Sequence, residues 1–163
     1  MRNIRLLICA AAVSVMTAGS VTAQDQGIGA GIIIGEPTGL SIKGWMSERT
    51  ALAGAVAWAF DPNTSLHIHG DYLIHNYDLL NVDAGTLPVY YGLGARIKFD
   101  DKEHPRRDRD RRTRAGVRIP AGLNYHFEDI PADIFIEIAP IFDIAPKTDF
   151  SLNAAIGARL FFK

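Results

Sequence analysis

Residues 115–127 read Ala115-Gly116-Val117-Arg118-Ile119-Pro120-Ala121-Gly122-Leu123-Asn124-Tyr125-His126-Phe127. Every second residue is alanine or a larger apolar residue, and glycine, arginine, proline, asparagine and histidine occupy the positions between them. A period of two is typical of a β-strand with two different faces, because successive side chains point to opposite sides. The stretch therefore predicts a strand with one apolar face and one face of small and polar residues.

The same alternation continues through the chain on both sides of this stretch and predicts eight strands. Turn clusters rich in proline, asparagine, aspartate and serine separate most of them, and longer links are expected at 75–86 and 100–114. Sequential strands joined in this way favour an all-β, eight-stranded, antiparallel up-and-down barrel. The predicted strands are 27–35, 39–46, 50–60, 65–74, 87–99, 115–127, 132–144 and 149–163.

The first 23 residues have the pattern of a secretory signal peptide. Arg2 and Arg5 form a basic start, residues 6–18 are mostly apolar, and small residues precede Gln24, as cleavage requires. The apolar run is shorter than the roughly 20 residues of a membrane-spanning helix. We expect a signal peptide at 1–23 and a single barrel domain at 24–163.

Composition narrows the function classes. The chain has 17 basic and 18 acidic residues, and removal of a leader with two arginines leaves 15 − 18 = −3, which gives no general case for nucleic-acid binding. The single cysteine, Cys9, lies in the leader, so the mature chain is expected to lack thiol and disulfide chemistry. No apolar stretch after the leader is long enough for a membrane helix, so a spanning structure would have to be a barrel.

The direction of the apolar face separates two kinds of barrel. It points outward in a membrane barrel and inward in a soluble, lipocalin-like periplasmic barrel that holds an apolar ligand. The opposite face of the third strand consists of alanines, and small residues suit a narrow lumen better than a water-exposed sheet surface. This pattern favours the membrane barrel, with the soluble barrel as the alternative. The alanines are Ala51, Ala53, Ala55, Ala57 and Ala59.

Charged residues share the face of the small residues and predict a polar network inside the lumen. Isolated ions are costly in a confined interior, so we expect them to pair and to fill the lumen rather than line an open pore. The predicted network contains Lys43, His67, His69, Asp71, Arg96, Lys98, Arg118, Asp133, Glu137 and Arg159, and Asp143 has the same parity.

Aromatic residues on the apolar face fall near the strand ends, as in the two interfacial girdles of membrane barrels. With the N-terminus in the periplasm, the expected outer girdle contains Trp58, Phe60, Phe99 and Phe142. The expected inner girdle contains Tyr72, Tyr125, Phe127 and Phe162.

Three groups of side chains suggest binding or chemistry. His67, His69 and Asp71 share one strand face and could converge on a divalent metal, although a hydrogen-bonded lumen cluster is the preferred interpretation. Ser65 and His67 resemble part of a hydrolytic site, but without a positioned base they do not predict an enzyme. Arginines in the fifth link could bind lipopolysaccharide phosphates or form only a solvated loop. They are Arg106, Arg107, Arg109, Arg111 and Arg112.

Residues 27–39, 65–72 and 116–125 resemble a family of small bacterial outer-membrane β-barrel proteins, similar in size to the OmpA and OmpX transmembrane barrels. The resemblance covers nearly all of the chain after the leader and implies a barrel in the outer membrane of a Gram-negative bacterium. It implies no catalytic residues and no cofactor. The aromatic end at Phe162 is similar to the signal read by the barrel-assembly machinery, which makes that machinery an expected partner, although Lys163 departs from the usual terminal aromatic residue.

Overall fold

The computed structural model describes residues 27–58, 66–101 and 111–162. These residues form nine strands and, within the described ranges, no helix. The strands are β1 (Ile28–Gly35), β2 (Gly39–Trp45), β3 (Thr50–Trp58), β4 (Leu66–Asn76), β5 (Val89–Asp101), β6 (Arg111–Arg118), β7 (Ala121–His126), β8 (Ala132–Ala145) and β9 (Asp149–Phe162). Across the described part of the chain, no helical segment has the length and apolar character needed to cross a membrane.

The sheet closes into a barrel. Each strand pairs antiparallel with its sequence neighbours, except that β6 and β7 together occupy one position between β5 and β8. The first and last strands complete the ring through eight paired positions, from Ile28 with Phe162 to Gly35 with Ala155. The ring therefore has eight strand positions, which confirms the predicted all-β antiparallel barrel.

Pro120 divides the predicted strand 115–127 into two. A proline has no N–H group, so it removes one donor from the ladder. The carbonyl of Pro120 still accepts a hydrogen bond from the Gly92 amide at 2.9 Å, and the Ile119 amide donates to the Pro140 carbonyl at 3.0 Å. The prediction of one continuous strand is wrong, but its side-chain alternation is retained on both sides of the break.

The predicted link 100–114 is shorter in the structure. Strand β5 continues to Asp101 and β6 begins at Arg111, and these two residues are directly paired. The mixed charges of this stretch suggested a loop. In the structure, backbone pairing between β5 and β6 continues into it and lengthens the hairpin. The predicted signal peptide, the strand ends at 59–60 and 65, and residues 102–110 lie outside the described residues.

The two ends of the barrel differ in their connections. The terminal end holds Ile28 and Phe162 together with the β2–β3, β4–β5 and β7–β8 connections. The distal end holds the β1–β2, β3–β4, β5–β6 and β8–β9 connections.

Burial is reversed relative to a water-soluble protein. Leu93 is 59% exposed and Ile136 is 55% exposed, whereas Lys43 and Asp133 are fully buried at 0%. The predicted direction of the two faces is therefore correct. Charged, polar and small side chains fill the interior, which is the opposite of the apolar cavity required by the soluble, lipocalin-like alternative.

Candidate functional site: the charged lumen

Among the residues whose burial the structure describes, four cations and four carboxylates are buried inside the barrel, so their formal charges balance. They come from every strand position except β1 and β3. In each strand they occupy inward positions, because side chains alternate between the two faces. Each has at most 7% of its surface exposed. The cations are Lys43, Arg96, Arg118 and Arg159, and the carboxylates are Asp71, Asp133, Glu137 and Asp143.

The terminal layer of this network joins β2, β8 and β9. Arg159 donates from Nε and Nη2 to the two oxygens of Asp133, both at 2.9 Å, which is the bidentate geometry of a strong ion pair. Lys43 Nζ lies 3.7 Å from Asp133 Oδ2 and donates to Asn124 Oδ1 at 2.5 Å. One carboxylate thus serves two cations at this level.

The central layer is arranged around Arg118. Its Nε donates to Asp71 Oδ2 at 3.0 Å, and its Nη2 donates to Glu137 Oε1. The hydroxyl of Tyr90 donates to the other oxygen of Glu137 at 2.9 Å. These contacts span the strands β4 to β8 and cross the middle of the lumen.

The distal layer pairs Arg96 with Asp143. Nε and Nη2 of Arg96 donate to the two carboxylate oxygens at 3.0 Å and 2.7 Å, and Nη2 also donates to Ser151 Oγ at 3.1 Å. The three layers satisfy most of the buried charge along the barrel axis. The interior of the barrel is thus packed with polar contacts instead of with an apolar core.

Glycines make room for these contacts, since three polar pairs each span a glycine on the strand between them. Gly94 lies in register between Asp71 and Arg118. Gly116 lies between Arg96 and Asp143, and Gly122 lies between Tyr90 and Glu137. A Cβ atom built on Gly116 would stand 2.5 Å from Asp143 Oδ1, so a larger residue would displace the carboxylate.

The histidine cluster on β4 is present without a metal-binding geometry. The rings of His67 and His69 are 5.3 Å apart, and His69 Nε2 lies 3.7 Å from Asp71 Oδ2. Among the described residues, no group of three histidine, cysteine, aspartate or glutamate side chains is arranged to hold a metal ion. Ser65, the proposed partner of His67 in a hydrolytic site, lies outside the described residues.

Aromatic rings pack together at the terminal mouth. The ring centre of Trp45 lies 4.5 Å from that of His75 and 5.5 Å from that of His126. Lys43 Nζ lies 4.1 Å from the centre of the Trp45 ring. In the connection after β4, burial raises the pKa of Tyr77 to about 12 despite the opposing charge of Arg49. This cluster was not among the residues predicted from the sequence, although the inward parity of Trp45 could have indicated it.

Other lumen residues were also absent from the predicted network. Tyr90, Asn124 and Ser151 have the inward parity, and each forms a hydrogen bond with a charged residue of the predicted network. They are uncharged, so a search for charged residues on this face did not find them. Among the predicted members, Lys98 is half-buried near the distal mouth. The remaining nine predicted members are buried.

The aromatic residues of the apolar face lie at the predicted ends. Trp58, Phe99 and Phe142 are outward and exposed at the distal end, and Tyr72 and Phe162 are outward and exposed toward the terminal end. Tyr125 and Phe127 are half-buried, with ring centres 4.9 Å apart, and the Tyr125 hydroxyl donates to the Ala84 carbonyl at 3.1 Å. Phe60 lies outside the described residues.

Of the five loop arginines, Arg106, Arg107 and Arg109 lie outside the described residues. The backbone of Arg111 and Arg112 begins β6. Asp100 pairs with Arg112 one step beyond the level at which Phe99 pairs with Leu66, the first residue of β4.

The fold is similar to that in the crystal structure of the N-terminal β-barrel domain of Pseudomonas aeruginosa OprF. The two superpose with a TM-score of 0.64, and the match covers 83% of this chain and 95% of that domain. Sequence identity over the match is 17%, so the similarity concerns the fold. No protein-family model and no curated protein sequence matches the chain.

Proposed function

We propose that this protein is exported by a cleaved signal peptide and spans the outer membrane as a small barrel with a structural role. The reversed burial carries this proposal. In water, exposed leucine and isoleucine side chains and buried ions are both unfavourable. In a bilayer the exposed apolar side chains contact lipid, and in a closed ring neighbouring strands supply hydrogen-bond partners for one another's backbone groups.

The lumen acts as a polar plug in this proposal. Three ion-paired layers occupy the terminal, central and distal levels, and Trp45 with its two histidine neighbours lies at the terminal mouth. An eight-stranded barrel has an interior just wide enough for side chains. The protein therefore stabilises and occupies the membrane instead of conducting solutes.

Fractionation of cells that express the full-length chain tests the location. We expect the mature protein, shortened by the leader, to remain in the Sarkosyl-insoluble outer-membrane fraction and to need detergent for extraction. Its mobility in gels should change after boiling, as it does for membrane barrels that stay folded in detergent. Recovery in the soluble periplasm without heat-dependent mobility would support the lipocalin-like alternative instead.

A surface role accompanies this proposal because the β5–β6 hairpin extends past β8 at the distal end. Its last described pair is Asp101 with Arg111, whereas β8 ends opposite Ala115. With the termini in the periplasm, this end of the hairpin lies outside the cell. Its arginines then bind phosphates of lipopolysaccharide through charge-assisted hydrogen bonds.

A further inference from the structure

A cavity of about 390 Å³ opens at the distal end, beside the Arg96–Asp143 layer. Small-molecule sites in proteins commonly have volumes of roughly 300 to 1,000 Å³, so this one is at the small end and suits a single ring. The β1–β2 connection forms one side of the cavity, and β3, β4, β5 and β9 contribute the rest. Its lining includes Pro37, Trp58, His67, Arg96, Lys98 and Asn153.

Two buried polar side chains of this lining have no hydrogen-bond partner among the described residues. Asn153 is 6% exposed and His67 is 7% exposed, and neither side chain forms a hydrogen bond within the described part of the chain. They lie on different strands, β9 and β4, so two separate positions show the same deficit. Buried polar groups without a partner are costly, and native proteins contain few of them. Their shared position at one cavity therefore suits a ligand that hydrogen-bonds to both.

The charges of the described lining do not favour an anion. Arg96 donates from Nε and Nη2 to Asp143, and its Nη2 also donates to Ser151. Lys98 is engaged in an interaction of its own. Glu36, exposed on the β1–β2 connection, adds a carboxylate to the same lining. The two unpartnered side chains are therefore the groups that select the ligand.

The chemistry of these two side chains matches hydroxyl groups. A neutral imidazole has one N–H donor and one acceptor nitrogen, and an amide has an N–H₂ donor and a carbonyl acceptor. A hydroxyl group both donates and accepts, so it satisfies either function, whereas phosphate offers mainly acceptors. Pro37 and Trp58 add apolar surface to the lining, as is usual in small-molecule sites. A neutral sugar ring has hydroxyl groups at its edge and an apolar carbon–hydrogen face, so it fits both features.

We propose that the distal cavity binds a neutral pyranose ring, with His67 and Asn153 hydrogen-bonded to its hydroxyl groups and Trp58 against its carbon–hydrogen face. With the termini in the periplasm, the cavity opens outside the cell, where such a ring belongs either to a free sugar or to a surface glycan. Both sources offer the same chemistry to the cavity. The site goes beyond the structural role proposed above and does not depend on the membrane location.

Calorimetric titration of the refolded mature chain tests the site, in a detergent that has no sugar head group. Glucose, galactose and mannose represent free sugars, and a neutral oligosaccharide fragment of the lipopolysaccharide O-chain represents a surface glycan. At least one of these probes should bind saturably, and inorganic phosphate should not compete with it. Saturable binding of the fragment alone would support the site and assign the surface glycan as its ligand. No saturable binding of any probe, or phosphate binding as tight as sugar binding, would overturn the proposal.

Asn153→Leu should weaken sugar binding about tenfold, the effect of losing one hydrogen bond. Because the Asn153 amide has no partner to lose in the free protein, the variant should resist urea at least as well as the unaltered chain. This combination separates a binding role from a structural one. Asn81→Leu is the matched control, because Asn81 is exposed on the β4–β5 connection at the opposite end. Equal sugar affinities for the two variants would contradict the role of Asn153.

A side-chain amide NMR spectrum of the unaltered chain gives a second measurement that needs no variant. The saturating sugar should shift the N–H₂ signals of Asn153. It should leave those of Asn124 unchanged, because Asn124 lies in the terminal layer, where its amide already bonds to Lys43 and to the Ile134 carbonyl. Unchanged Asn153 signals under saturation would overturn the assignment of the cavity. None of these results would affect the membrane assignment.

Discussion

Arg118 Nε lies 3.0 Å from Asp71 Oδ2, although the two residues are 47 positions apart and sit on strands that are not paired with each other. Gly94 occupies the register position between them on β5, and its missing side chain leaves the space in which the two meet. The pairs Arg96 with Asp143 and Tyr90 with Glu137 repeat this arrangement over Gly116 and Gly122. The lumen network therefore depends on glycines as much as on charges.

Gly94→Ala should destabilise the barrel. The added Cβ atom would overlap the Asp71 carboxylate and the Gly70 carbonyl, so the ion pair with Arg118 must shift. We expect a loss of about 1–3 kcal/mol in the free energy of unfolding, typical of an overpacked interior. Urea unfolding in lipid vesicles, followed by gel mobility, measures it. Gly44→Ala is the control, because a Cβ there would meet nothing within 4 Å; equal losses for both variants would contradict the spacing role.

Arg118→Met should also destabilise the protein, because it leaves Asp71 and Glu137 buried without their cation. Breaking a buried ion pair in this way costs about 3–5 kcal/mol. The matched control is Arg49→Met, which breaks an exposed pair with Asp78 whose side chains are 58% and 71% exposed. Exposed pairs contribute about 0–1 kcal/mol. If the same urea titration gave similar losses for both variants, Arg118 would not hold the central layer together.

Arginine scanning along β8 tests which surface faces lipid. Ile138 is outward midway along the strand and Ile144 is outward at its distal end. In a bilayer, Ile138→Arg should cost about 2–4 kcal/mol and Ile144→Arg about 0–1 kcal/mol, because the cost of a charge falls toward the interface. Unfolding titrations in vesicles measure both values. A lack of dependence on position would argue against a membrane-spanning barrel.

Reconstituted protein should show little solute flux, since paired side chains fill the lumen at three levels. Liposome swelling with arabinose and single-channel recording in planar bilayers measure this property. A large general porin in the same vesicles provides the positive control. Swelling comparable to that of the porin would contradict the plugged lumen.

Replacement of Arg106, Arg107, Arg109, Arg111 and Arg112 by serine should weaken lipopolysaccharide binding by the folded barrel. Each guanidinium can form charge-assisted hydrogen bonds with phosphate, and serine removes that charge. Surface plasmon resonance with captured lipopolysaccharide measures the affinity. Lysine replacements at the same positions separate the contribution of charge from that of the planar guanidinium. Unchanged affinity in the serine variant would contradict lipopolysaccharide binding by these arginines and would support a hairpin that is only solvated.

The sequence alone predicted the barrel and favoured an outward direction for its apolar face. Alternation with period two requires no tertiary information, because backbone geometry sends neighbouring side chains to opposite sides. The alanines on one face of β3 then favour a narrow lumen over a water-exposed sheet surface. The inward positions of Lys43, Arg118 and Asp133 follow from the same rule.

Only the tertiary structure decided which of these inward residues meet. Partners such as Arg118 and Asp71 depend on strand register and closure, and a register shift of one residue would reverse every face of a strand. The break at Pro120 and the extension of β6 to Arg111 also depend on which neighbouring carbonyls and amides are in reach.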